Sequence, residues 1–156
     1  MNERFELTKF QQEQAYREKE CAGVFYCDTK KLLMSYRELS TVEGNKQPVT
    51  LKIEHALIAY KESCINSKKE NLIRRYNMMY YYFIETEKKN FKELAEKYYV
   101  NERTVRRDIT NSICDMMIHF YGIDGLIALL ILKGERLLYK PLIELWKIMK
   151  VNEGIK

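Results

Sequence analysis

The most specific structural signal in this chain is the stretch FKELAEKYYVNERTVRRDIT, residues 91–110. Asn90 is followed three residues later by a glutamate, the spacing of a capping box that satisfies backbone amides at the start of a helix. Asn101 is a suitable cap for a second helix, and the residues just before it break the first. The spacing therefore predicts a short helix over residues 91–97, a turn, and a longer helix over residues 102–121.

Apolar residues at regular spacings predict that these two helices pack against each other. Ala95 is the small residue that a close helix crossing requires. The residues placed to hold the turn and the second helix against the first are Leu94, Val100, Val105 and Ile109. With those positions facing inward, the opposite face of the second helix is exposed to solvent.

The exposed face of the second helix is rich in groups that bind nucleic acid. Its residues are Asn101, Glu102, Arg103, Arg106, Arg107 and Thr110, with Thr104 at the edge. An arginine bonds a guanine edge through two hydrogen bonds or holds a phosphate. We assign Arg103 and Arg106 to base edges, and Arg107 and Lys92 to backbone phosphates. Glu102 either accepts from a cytosine amino group or complements the dipole of its helix.

The positive charge of the chain is concentrated around this motif. The 156 residues contain 27 Lys plus Arg and 22 Asp plus Glu, which gives a net charge of +5. Residues 65–110 hold 11 basic and 7 acidic groups and so contribute +4 of that surplus. A mild positive field of this kind fits a nucleic-acid partner.

The sequence FKELAEKYYVNERTVRRDI resembles the helix-turn-helix of bacterial transcription regulators. In particular, it is similar to the region-four-like domains of sigma factors and to small phage-encoded activators of late transcription. The likeness is tightest over residues 90–110 and looser over 50–125, and it does not cover 1–48 or 127–156. It implies a phage- or prophage-related regulator that docks a recognition helix, about residues 102–114, in the major groove of double-stranded DNA and recruits RNA polymerase.

One position departs from the pattern of that family. The turn most often holds Gly where the backbone dihedral φ is positive, and this chain has Tyr99 there. The departure predicts a wider turn or modest strain.

Two other interpretations stay open. The pattern is also that of a helical hairpin whose exposed charges form a solvated face. Alternatively, the chain is a protein-interaction or assembly module, such as a polymerase adaptor or a small phage DNA-packaging subunit, that does not read DNA sequence. Affinity that falls steeply with salt would favour the regulator, because each neutralised phosphate releases counterions.

The composition predicts an all-α fold, a helical domain containing the helix-turn-helix with additional N- and C-terminal helices. Only 6 Gly and 2 Pro occur, which favours long helices over turn-rich β structure. Residues 40–48 gather Gly, Asn and Pro and form the best linker candidate. We therefore divide the chain into an N-terminal helical segment of unknown role (1–48), a DNA-binding domain (49–125) and a C-terminal helical extension (126–156).

Further elements are predicted before the motif. Residues 5–20 and 29–39 have helical character, with a turn or a short strand over 21–27, and residues 50–66 have a clear helical periodicity. Ser67, with a glutamate three residues later, is interpreted as another capping box.

An aromatic cluster and one carboxylate near the motif also need an interpretation. The cluster Tyr80-Tyr81-Tyr82-Phe83 is either part of the core or a stacking platform for single-stranded nucleic acid. Asp108 has no cationic neighbour at helical spacing in its own helix, so we expect a solvated carboxylate there.

The C-terminal region from Leu126 to Met149 is apolar and contains Leu142 and Trp146 at helical spacing. It forms either part of the domain's own core or a dimerisation surface. A homodimer would place two recognition helices about one DNA turn, roughly 34–36 Å, apart on a palindromic site.

The sequence does not favour an enzyme. His55 and His119, its two histidines, each lie in an apolar helical pattern, and no phosphate-binding Gly-rich loop or metalloprotease motif occurs. No catalytic residue, metal ligand or cofactor is therefore predicted, and the four cysteines are expected to be reduced thiols. The longest apolar runs are seven residues and the N-terminus lacks a signal sequence, so we expect a cytoplasmic protein without a membrane segment.

Overall fold

The computed structural model describes residues 9–40 and 48–134, and this part of the chain is helical, with no strand. The helices are α1 (Lys9–Ser40), α2 (Pro48–Asn66), α3 (Glu70–Met79), α4 (Phe91–Tyr98), α5 (Glu102–Tyr121) and α6 (Ile123–Leu132), and α3 continues as a π-turn over Tyr80–Ile84. The all-α class is confirmed. The three-part division of the chain stays a prediction.

The two caps predicted around the motif are present. The Asn90 side chain accepts a hydrogen bond from the Glu93 amide at 2.8 Å, and the Glu93 carboxylate accepts one from the Asn90 amide at 3.4 Å. Asn101 accepts from the Thr104 amide at 2.8 Å. Each cap satisfies amides that lack partners in the first turn of a helix, so both boundaries follow from local chemistry.

The capping box predicted at Ser67 is wrong. Helix α3 begins at Glu70, and its N-cap residue, Lys69, makes no side-chain cap. The Ser67 hydroxyl donates to the Cys64 carbonyl at 2.6 Å and accepts from the Lys69 amide at 3.2 Å. Ser67 therefore terminates α2 instead of starting α3.

The turn or strand predicted over residues 21–27 is also wrong, because α1 runs through it without a break. Ala22, Thr29 and Leu33 are buried at the spacings of one helical face. Their packing outweighs the weak helix propensity of Gly23, which lies inside the helix with open space around it. Tertiary contacts, which a local pattern does not contain, decide this element.

Helix α5 lies at the centre of the fold and packs against each of the other five helices. Its buried face includes Val105, Ile113 and Met116, which are almost fully enclosed. The core around them draws Ile53 from α2 and Leu33 from α1. Because α5 is held on so many sides, any surface that it leaves exposed has a fixed position.

Two ion pairs join α3 to α5. Arg74 donates to Asp108 at 2.9 Å, and Arg75 donates to Asp115 at 3.0 Å. Asp108 is only 3% exposed, so the expectation of a solvated carboxylate is wrong. Its partner lies 34 residues earlier in the chain, where neighbours within the same helix give no indication of it.

The π-turn is tied to α1 by one arginine. Arg37 donates to the carbonyls of Glu85 at 2.7 Å, Tyr82 at 2.9 Å and Tyr81 at 3.3 Å. A helix end leaves such carbonyls without partners, and the guanidinium supplies several donors at once. The contact fixes the segment that leads into α4.

Ser40 and Pro48, the two ends of the predicted linker, lie in α1 and α2. Residues 41–47 between them, and residues 135–156 of the C-terminal extension with Leu142 and Trp146, lie outside the described residues. The described part of the C-terminal extension is α6, which packs on both α1 and α5. No helix in residues 9–40 or 48–134 combines the length and apolarity needed to cross a membrane.

Candidate nucleic-acid interface

Helices α4 and α5 are joined by a tight three-residue connection. Tyr99 has φ 55° and ψ 43°, the left-handed conformation that glycine usually supplies. The Val100 amide donates to the Ala95 carbonyl at 3.0 Å and closes the end of α4. The departure at Tyr99 therefore produces no wider turn: the tyrosine adopts the backbone conformation of the residue it replaces, with its side chain 96% exposed.

The packing of α4 on α5 follows the predicted inward positions. Leu94, Ala95, Val105 and Ile109 are buried, and Val100 is half-buried. Leu94 and Val105 are completely enclosed, so the two helices share a dry contact. This packing leaves the opposite face of the first turns of α5 uncovered.

The predicted site residues lie together on that uncovered face. Those exposed on α5 and its cap are Asn101, Glu102, Arg103, Arg106, Arg107 and Thr110, with Lys92 exposed on α4, and Thr104 is half-buried at the edge. Thr104 is held by its amide, which donates to the Asn101 cap. The predicted residues thus form one surface, which we call the α5 face.

Arg106 is held on the α5 face by an aromatic contact that the sequence analysis missed. Its guanidinium carbon lies 5.4 Å from the centre of the Phe91 ring. That ring stacks on Tyr82 with centres 5.1 Å apart and planes 9° apart, and the Lys88 ammonium lies 4.7 Å from the centre of the Tyr82 ring. We call this series of four groups the stacked ladder.

A second cation–aromatic group lies beside the ladder. The Lys97 ammonium lies 4.3 Å, and that of Lys89 5.7 Å, from the centre of the Tyr81 ring. Cations over ring faces are attracted by the negative quadrupole of the ring. The cluster of tyrosines is thus half-buried against the core and contacted by lysines, an arrangement that favours its core interpretation over a platform for stacked bases.

The residues that make these contacts are noticeable in the sequence, but they lie in separate segments of the chain. The aromatic run Tyr80–Phe83 and the lysines after it each stand out, whereas nothing local relates Tyr82 to Phe91 or Phe91 to Arg106. Only the fold brings the three together.

The basic residues of the middle segment divide into two groups. Arg74 and Arg75 are used in the ion pairs to α5, so their charge is balanced inside the fold. Arg103, Arg107 and Lys92 are exposed. Arg74 and Arg75 therefore do not add to the charge of the α5 face, and Lys68 and Lys69 are exposed just before α3.

A polar cluster lies between α2, α3 and α5. The Tyr60 hydroxyl donates to Asp115 at 2.8 Å, beside the bond from Arg75. Burial raises the pKa of Tyr60 and lowers the pKa of His119, and the nearby Asp115 only partly opposes the second effect. The groups of this cluster pair with one another and join three helices. No group of three or more potential ligands gathers to hold a metal ion within the described ranges.

Comparison of the chain with protein-family models, with curated proteins and with solved structures gave no match.

Proposed function

We propose that the chain is a sequence-specific DNA-binding transcription regulator in which α4 and α5 act as a helix-turn-helix. The single observation that carries the proposal is the α5 face, where three exposed arginines lie at the start of a helix whose other side is fixed in the core. In known helix-turn-helix proteins, the first turns of the second helix contact base edges in the major groove. On this proposal, the face docks there.

The proposal gives the arginines two roles. Arg103 and Arg106 contact base edges, and Arg107 with Lys92 holds phosphates that set the register of the protein on the duplex. The stacked ladder restrains Arg106 before DNA arrives, so less side-chain freedom is lost on binding. Changing Arg106 to Ala then costs about 1–3 kcal/mol on the preferred site and relaxes specificity at one base pair. Equal loss on all sequences would reassign Arg106 to a phosphate.

Binding to duplex DNA is tested with a variant in which Arg103, Arg106 and Arg107 are all changed to Ala. Its matched control changes Lys19, Lys30 and Lys31, which are exposed on α1, and removes the same number of charges. We expect the first variant to lose most of its affinity and part of its salt dependence, because Arg107 no longer neutralises a phosphate while Lys92 still does, and we expect the control to bind like wild type. Equal losses in both would mean that only net charge matters and would leave the α5 face without a special role.

The resemblance to sigma-like regulators adds an expected partner. A regulator of that kind recruits RNA polymerase, and the described residues offer exposed apolar side chains on α1, including Val24 and Met34, for a protein contact. The same side chains favour the second candidate function, an interaction or assembly module that does not read DNA. That candidate predicts partner binding insensitive to salt and no effect of the arginine substitutions.

A further inference from the structure

Helix α2 carries an apolar stripe on the side that faces away from the core. Leu51, Ile58 and Ile65 are 42%, 57% and 51% exposed. They lie seven residues apart, almost two full helical turns, so they line up along the helix. The buried residues of α2, among them Ile53 and Tyr60, occupy the opposite side. The helix therefore has two apolar faces, and only one of them is covered by the core.

Acidic and basic side chains alternate along either side of this α2 stripe. On one side, Glu54 lies four residues before Ile58 and Lys61 three residues after it. Glu54 is half-buried, and its carboxylate also accepts a hydrogen bond from the Tyr36 hydroxyl of α1 at 3.0 Å. On the other side, His55 lies three residues before Ile58 and Glu62 four residues after it. Each flank thus carries an acidic residue and a basic residue, at opposite ends.

We propose that the α2 stripe is the contact surface for a second copy of this chain, related by a two-fold axis that passes by Ile58. In an antiparallel pair, Leu51 meets Ile65 of the second copy, and Glu54 meets Lys61 of the second copy. The other flank then places His55 opposite Glu62 of the second copy. An isologous interface requires a surface that complements itself in this way.

The pattern also complements itself in a parallel pair. There, Glu54 lies beside His55 of the second copy and Lys61 beside Glu62 of the second copy. In both orientations apolar residues meet apolar residues and acidic residues meet basic ones. Opposite charges of this kind fix register and partner at helix pairs. The self-complementarity selects a second copy of the chain over an unrelated apolar partner.

A groove next to the stripe provides additional contact surface. It has a volume of about 520 Å³ and runs between α2 and α5, where Leu51, His55, Ala59 and His119 line it. Because Leu51 lines the groove, the end of the second copy's stripe that meets Leu51 lies beside it in either orientation. The interface is therefore not confined to three side chains on a flat helix.

The test measures the mass of the full chain in solution by sedimentation, without DNA, so its outcome does not depend on the proposed function. We expect twice the 18.8 kDa of one chain at high protein concentration. The variant Ile58→Glu should shift the protein to a single chain. Its control is Val24→Glu on α1, which is also 57% exposed and should leave the mass doubled. Circular dichroism checks that both variants stay folded.

Cross-linking then locates the contact. In a background with Cys21 and Cys27 changed to Ser, Ile58→Cys should form a disulfide between two chains under a mild oxidant, because residue 58 lies by the axis in either orientation. Leu51→Cys cross-links with itself only in a parallel pair, and with Ile65→Cys only in an antiparallel one.

Two results would overturn the proposal. A single-chain mass for wild type at all concentrations would mean that the stripe does not pair two copies of the chain. A doubled mass without cross-linking at residue 58 would place the interface elsewhere.

Discussion

Tyr99 shows at the scale of one residue how the turn between α4 and α5 is formed. It holds a left-handed conformation that costs an ordinary residue about 1–2 kcal/mol, while its side chain makes almost no contact. Tyr99→Gly should therefore raise the free energy of unfolding by about 0.5–1 kcal/mol, since the conformational cost exceeds the extra entropy of glycine. Denaturant unfolding measures the change. Tyr99→Ala keeps the strained backbone and should give no gain, and an equal gain in both variants would contradict this explanation.

Phe91 provides a test of the stacked ladder that leaves every charge in place. Phe91→Leu keeps an apolar side chain at the start of α4 but removes the ring under Arg106. Without the ring, the Arg106 side chain has to be ordered when DNA binds, at a cost of about 0.5–1 kcal/mol, which should weaken DNA binding by roughly two- to five-fold. Dissociation constants at fixed salt measure it. In an Arg106→Ala background, the same change should have no further effect, and a full effect there would show that Phe91 acts independently of Arg106.

Two glycines show how differently one substitution acts inside two helices. A Cβ atom at Gly125 in α6 would lie 2.0 Å from the Met117 carbonyl oxygen of α5, whereas one at Gly23 in α1 meets nothing within 4 Å. Gly125→Ala should therefore destabilise the fold by about 1–3 kcal/mol. Gly23→Ala should stabilise it by about 0.5–1 kcal/mol, because alanine has the better helix propensity. Thermal unfolding compares the two, and similar shifts would mean that α6 does not pack closely on α5.

Residue type and helical spacing predict the helix boundaries and the exposed face of the motif. They do not predict contacts between residues that lie far apart in the chain. The caps at Asn90 and Asn101 and the exposed arginines follow from residue type and helical spacing alone. Asp108 was misjudged because its partner, Arg74, lies in another helix. Likewise, the continuity of α1 depends on burial of Leu33 in a core built from later segments, and the α5 face gained its aromatic support only through the fold.

At the scale of the whole molecule, stability should depend on pH through His119. Burial lowers its pKa in the folded state below the ordinary value of 6.5, so the unfolded chain takes up a proton first as the pH falls. The free energy of unfolding should therefore decrease from about pH 6.5 downward until the folded pKa is reached. Urea unfolding across this range, with His119→Gln as the comparison, measures the effect. The variant should show a flatter pH dependence, and an unchanged slope would assign the loss to other groups.

Selection from a randomised pool of duplex DNA tests whether the α5 face reads DNA sequence. The retained fraction is sequenced at two salt concentrations for wild type and for the variant with Arg103, Arg106 and Arg107 changed to Ala. We predict that wild type enriches one defined site, that the variant enriches none, and that a paired α2 stripe gives the site two-fold symmetry. Enrichment of the same site by both proteins, or of no site by either, would contradict the claim.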